Sequence, residues 1–201
     1  MRQGFTLLEI LIVMAVMSFA TVSLVTSFGQ SQERIEFQQN VNELSSTITA
    51  ARASALNGSA NPDDSRVALI DVGSMTVTAF IDGKNGDGTS DVSFDSSEGS
   101  PDSLIKNVSL GDILEVKQIV VSDGNREQKA KTSSIRFYFN TANASCDFSV
   151  DKYGLVDDSK SMIKIGLGRK PEPGKTDDEV LRCLYFHKKS CLSEVLTNCP
   201  K

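Results

Sequence analysis

Between Phe5 and Phe28 the chain runs for 24 residues with a single charged side chain, Glu9. As a helix rising about 1.5 Å per residue, such a run extends roughly 36 Å, enough to cross a ~30 Å hydrocarbon layer with some tilt. A short polar leader, Met1-Arg2-Gln3-Gly4, precedes it. A cleaved secretory signal has an apolar core of only ~7–15 residues with a small-residue cleavage site behind it. Here the small residue stands in front of the run and no such site follows, so the segment reads as a retained anchor. Residues 1–4 are then a leader and 5–28 a transmembrane helix. Arg2, set against the mixed Glu33, Arg34 and Glu36 cluster beyond the run, orients the N-terminus to the cytoplasm by the positive-inside tendency.

Glu9 needs a reason to be there, because a carboxylate within a membrane costs several kcal/mol unless it has a partner or a role. Near the helix start it can snorkel to the headgroups and complement the positive end of the helix dipole. A cut between Gly4 and Phe5 offers another reason, since it creates a free amine four residues before Glu9 that can serve as counter-charge within one helix or between packed copies. Gly4-Phe5-Thr6-Leu7-Leu8-Glu9 followed by an unbroken apolar helix resembles the class III signal of type IV pilins and type II secretion pseudopilins. The resemblance implies cleavage after Gly4 by a prepilin peptidase, which methylates the new amine of Phe5, and a role for Glu9 in aligning incoming subunits. It implies as partners other pilin or pseudopilin subunits, an inner-membrane assembly platform and membrane lipid. It also implies a single-pass inner-membrane protein with a periplasmic head, carried into a pilus or pseudopilus on assembly. Many major pilins have a proline near the end of this run; here stand Val25-Thr26-Ser27, with Gly29 as the one bend point, and a continuous helix is expected. That suits a minor subunit at least as well as a major one.

From residue 29 to 58 the helix turns amphipathic. Phe37, Val41, Leu44, Ile48, Ala51 and Ala55 recur at steps of four and three, a stripe meant for a core, and Gly58 supplies the stop. Beyond it the period changes to two. Arg66–Val72, Met75–Ile81, Leu104–Leu110, Ile113–Val121, Ser134–Asn140, Cys146–Asp151, Met162–Gly168 and Val180–His187 read as strands, the first two joined by a turn at Gly73-Ser74. Residues 90–103 and 170–178, rich in Ser, Gly, Pro and Asp, read as loops. The expected fold is α+β: a long N-terminal helix, half transmembrane and half amphipathic, packed on an antiparallel sheet or sandwich spanning residues 59–201. The helix end Ala50–Leu56, Val67-Ala68-Leu69-Ile70, the stretch Phe80–Gly88 and Ile135-Arg136-Phe137 resemble the GspH/FimT-type minor pilin domain. That resemblance implies a double sheet packed on the helix and a low-copy subunit near a filament tip.

A head outside the cytoplasm lies in an oxidising compartment, where four cysteines, Cys146, Cys183, Cys191 and Cys199, favour two disulfides. Three connectivities are open. The expected one joins Cys191 to Cys199 across a short tail and Cys146 to Cys183 between strands. No C-x-x-C pair exists and the one histidine, His187, has no second at ligand spacing, so no metal is expected there. Asp82, Asn85, Asp87 and Asp91 on a glycine-bent stretch suggest a calcium loop, yet in that register Gly83 and Phe94 take the two anchoring positions, and a plain turn is expected instead.

With 26 acidic against 21 basic residues, a net charge of −5, the chain as a whole is no general nucleic-acid binder. A local basic turn, Gly168-Arg169-Lys170 with Lys175 nearby, resembles the start of the Gly-Arg-x-Arg tail through which some FimT-like minor pilins take up DNA. Pro171 replaces the second arginine, leaving Arg169, Lys170 and Lys175 as the candidate DNA contacts, extended by Lys188 and Lys189 if the tail folds back. No nucleophile elbow or phosphate loop is present, so neither catalytic residue nor cofactor is expected. The sequence reads as a minor type IV pilin, with a type II secretion pseudopilin or a DNA-binding minor pilin as the alternatives.

Overall fold

The computed structural model describes residues 7–57, 65–82, 103–111, 113–140, 145–150, 160–171, 179–197 and 199; the side chains of 24–30 and 65 lie outside the description. The chain divides into two compact units, residues 1–38 and 39–201. One helix, α1 (Leu7–Asn57), continues through Gly29 as the lack of proline predicts, and ends one residue before Gly58. All six positions of the expected stripe, from Phe37 to Ala55, are buried.

In the second unit, ten strands follow the helix in two five-stranded antiparallel sheets. β1 (Ser65–Asp71), β2 (Thr76–Asp82), β3 (Ser103–Ser109), β6 (Ser134–Asn140) and β7 (Cys146–Val150) form one sheet in the order β3-β2-β1-β6-β7. The second consists of β4 (Leu114–Ser122), β5 (Glu127–Ala130), β8 (Met162–Arg169), β9 (Arg182–His187) and β10 (Leu192–Leu196), ordered β10-β9-β8-β4-β5. All eight strands expected from alternation are present, displaced by at most two residues at an end. β6 shows why: Ile135, Phe137 and Phe139 are buried and alternate with the half-buried Arg136 and Tyr138, the period-two pattern of a strand facing a core.

Phe186 of β9 is where the sheets meet. Its ring lies 4.6 Å from that of Phe137, and it stands edge-on to Phe139 and Phe148 at 5.9 and 6.1 Å. These are favoured aromatic geometries. The C-terminal half of α1 is bound to the first sheet by polar ties as well as by its stripe. The Asn40 amide donates to the Leu110 carbonyl at 2.6 Å, and the Lys106 ammonium donates to Ser46 Oγ at 2.9 Å and pairs with Glu43 at 3.1 Å.

Two strands go beyond what alternation predicts. β5 reads Glu-Gln-Lys-Ala and β10 reads Leu-Ser-Glu-Val-Leu, and they form the two edges of the second sheet. An edge strand faces water on one side and resists further pairing when it is short and charged, which erases the apolar signal that marks interior strands. Residues 192–196, expected as part of a tail, are therefore a sheet edge.

The cysteine pairing differs from expectation. Cys146 bonds Cys191 and Cys183 bonds Cys199, with Cα atoms 5.6 and 5.5 Å apart. The hairpin register decides it. Cys191 and Cys199 flank β10, and five extended residues at ~3.3 Å each hold its ends roughly 16 Å apart, too far for a bridge. Leu196 lies opposite Cys183, so Cys199, just beyond the strand, returns to that end of β9. Cys191, at the other end, faces the start of β7.

Candidate functional site

The sequence motif of interest begins at residues that lie outside the description, Gly4 and Phe5. Glu9 is described. It sits in the first turn of α1, exposed, and shares one helix face with Val13, Met17 and Thr21 at steps of four. Around it Leu7, Leu8, Leu11, Met14, Phe19 and Val22 are all more than half exposed. An apolar surface of that extent on a lone helix marks a contact with lipid or with other protein. The hydroxyls inside the run turn inward on their own helix: Ser18 donates to the Met14 carbonyl at 2.8 Å, Thr21 to Met17 at 2.6 Å, and Ser23 to Phe19 at 3.1 Å. Such back-bonding satisfies a hydroxyl where no water is available. Among the described residues no helix is long and apolar enough to cross a membrane, with side chains of the apolar run described only from Leu7 to Ser23.

Among the described basic residues singled out in the head, Arg169 and Lys170 stand apart from Lys188 and Lys189. Arg169 ends β8, half-buried, and Lys170 follows it, exposed, its N–H donating to the Ile113 carbonyl at 2.8 Å. Lys175 lies outside the described residues. Lys188 and Lys189 begin the turn after β9, and the β8–β9 register pairs His187 with Met162, at the opposite end of β8 from Arg169. Eight residues of strand separate the two groups by roughly 23 Å. Lys188 moreover pairs with Asp147 at 3.0 Å. The extension of the basic turn by Lys188 and Lys189 is thereby ruled out on register alone.

Gly168 has a packing role. A Cβ there would clash with the Glu179 backbone carbonyl and come within 2.7 Å of Lys117 Cγ. The segment Glu179–Leu181 crosses this point, anchored by the Leu181 N–H on the Leu167 carbonyl at 2.8 Å. Lys117 reaches it because the β4–β8 register slips between Val116 and Gln118, leaving Lys117 as the extra residue of a bulge. Of the stretch considered for calcium, Asp82 is buried at the end of β2, and residues 83–91 lie outside the description. The segments expected as loops, 90–103 and 170–178, also fall almost wholly outside it; Ser103, Lys170 and Pro171 alone are described.

Two hairpins are closed by the same device. Asp71 Oδ1 accepts the N–H groups of Gly73 and Ser74 at 2.8 and 3.1 Å, and Asp123 Oδ1 those of Asn125 and Arg126 at 2.8 and 2.7 Å. Bonds to the charged form hold each carboxyl below its ordinary value, led at Asp71 by the Ser74 N–H and at Asp123 by the Asn125 N–H. The Gly73-Ser74 turn expected from sequence is the first of these. Loss of hydration pushes the Tyr138 and Tyr185 hydroxyls the other way, above the usual tyrosine value.

Comparison with curated proteins and with solved structures gives no match. The family model of the prokaryotic N-terminal methylation motif does match, over residues 1–25. Gly4, Phe5, Glu9 and the apolar face of α1 up to Val22 all fall inside that span, so the chain carries at its N-terminus the signal of a type IV pilin-like prepilin.

Proposed function

We propose that the chain is a minor type IV pilin of GspH/FimT type, with a structural, not a catalytic, role: a prepilin that is cut after Gly4, methylated on Phe5, and built into a filament through its apolar helix. The observation that carries this reading is the methylation motif over residues 1–25, continued by a helix whose second half belongs to a disulfide-bonded double-sheet head. In the mechanism, the inner membrane stores the subunit by its anchor, Phe5–Phe28. Glu9, on an otherwise apolar face, meets the amine of Phe5 on a neighbouring copy and sets the axial register, because an unmatched charge in an apolar surround is costly. The head then initiates, caps or decorates the filament. A minor pseudopilin of type II secretion uses the same physics and the same motif. DNA uptake would require a cationic tract that the separated positions of Arg169 and Lys188 do not favour.

Mass analysis of the membrane-extracted chain tests the processing step. The expected first residue is N-methylated Phe5; a chain that still begins at Met1 overturns the reading. Glu9→Ala should enter the membrane normally yet fail to appear in sheared filaments, and normal incorporation would refute the register role.

A further inference from the structure

Where α1 ends, Arg52, Ala55 and Leu56 face Phe139 and the Lys188–Cys191 turn across a cavity of about 160 Å³. Cys191 lines this cavity and is partly exposed, whereas its bonded partner Cys146 is buried. The second disulfide likewise joins a buried cysteine, Cys183, to a partly exposed one, Cys199, but neither of these lines the cavity. Arg52 and Lys189 flank the opening, no acidic residue lines it, and neither cation has a carboxylate partner among the described residues. On a chain of net charge −5 this is a locally positive spot. Cys191 also holds φ at 54°, a backbone conformation disfavoured for any residue with a Cβ, at the β10 end of a turn that the bond ties to β7.

Thiol–disulfide exchange requires an anionic sulfur to reach one accessible sulfur of the bond, and nearby positive charge gathers that nucleophile. We propose that Cys146–Cys191 is a thiol-exchange site, attacked at Cys191 Sγ by a dithiol reductant that enters the Arg52–Lys189 cavity, while Cys183–Cys199 is a permanent structural bond. The first thiolate of the dithiol bonds Cys191 Sγ and expels Cys146 as a thiolate, which takes a proton from water. The Lys188 carbonyl, 3.0 Å from Cys146 Sγ, is in place to accept the hydrogen bond of the resulting thiol. The second thiolate then attacks the mixed disulfide, releasing Cys191, so the dithiol is oxidised by two electrons and the protein gains two thiols. The opened form keeps the Asp147–Lys188 ion pair between the same two segments, a non-covalent latch in place of a covalent one.

The test is native-state reduction of the detergent-solubilised full-length chain by glutathione, an anionic thiol, with timed alkylation and peptide mass mapping. Cys146 and Cys191 should become labelled about tenfold or more faster than Cys183 and Cys199. In Arg52→Gln/Lys189→Gln, glutathione should react several-fold more slowly, while the cationic thiol cysteamine should not slow. Equal labelling rates for the two bonds, or Cys183–Cys199 opening first, would overturn the assignment. A double variant with unchanged melting temperature and unchanged glutathione rate would overturn the role of the cations.

Discussion

Asp71 and Asp123 each do locally what a longer loop would need many contacts to do: one carboxylate oxygen gathers two consecutive backbone N–H groups and closes a hairpin. This was half legible beforehand. Asp two residues before Gly73-Ser74, or directly before Gly124-Asn125, signals a turn, because a short acceptor side chain mimics the backbone. The pH consequence follows from the geometry. Both carboxyls titrate below their ordinary value when folded, so their contribution is complete above the unfolded carboxylate value of about 3.9 and is lost as pH falls through the lower folded values. The melting temperature of the head should therefore drop between roughly pH 4 and pH 2. Asp71→Asn/Asp123→Asn keeps the acceptor oxygens but removes the titration, and should flatten that slope; an unchanged slope would assign acid sensitivity to other groups.

Interior strands declared themselves by alternation and the helix by its stripe at steps of four and three, because burial on one face imposes a period on the sequence. Edges did not. β5 and β10 are half-solvated, and their composition answers the need to avoid further pairing more than the need to pack. The packing demand on Gly168 was likewise not legible in the sequence. What demands a glycine is the backbone of Glu179 passing over β8, an approach made by residues eleven positions later in the chain. Gly168→Ala should force the Glu179–Leu181 segment off β8 and cost about 1–3 kcal/mol, the usual penalty of overpacking. Denaturant unfolding would measure it, and a loss below ~0.5 kcal/mol would mean the crossing segment yields freely.

For the molecule as a whole, the sheets of the head are held together by Phe186 among three phenylalanines and by the Cys146–Cys191 bond between β7 and the β9–β10 turn. Phe186→Ala removes a fully buried ring and should destabilise the head by about 3–5 kcal/mol, read as a lower denaturant midpoint. A shift under ~1 kcal/mol would show that the sheets are held mainly elsewhere. Properties that depend on near neighbours along the chain were already present in the residues: the prepilin signal, the apolar run with its one acid, the helix stripe, eight of the ten strands and the α+β class. Which cysteine meets which, that Arg169 stands a strand's length from Lys188, that charged β5 and β10 are strands, and that Cys191 opens onto a cationic cavity were decided only by folding. Each depends on hairpin register and on how two sheets are stacked, and such long-range pairings are set by the sum of burial over the whole core and leave no local period behind.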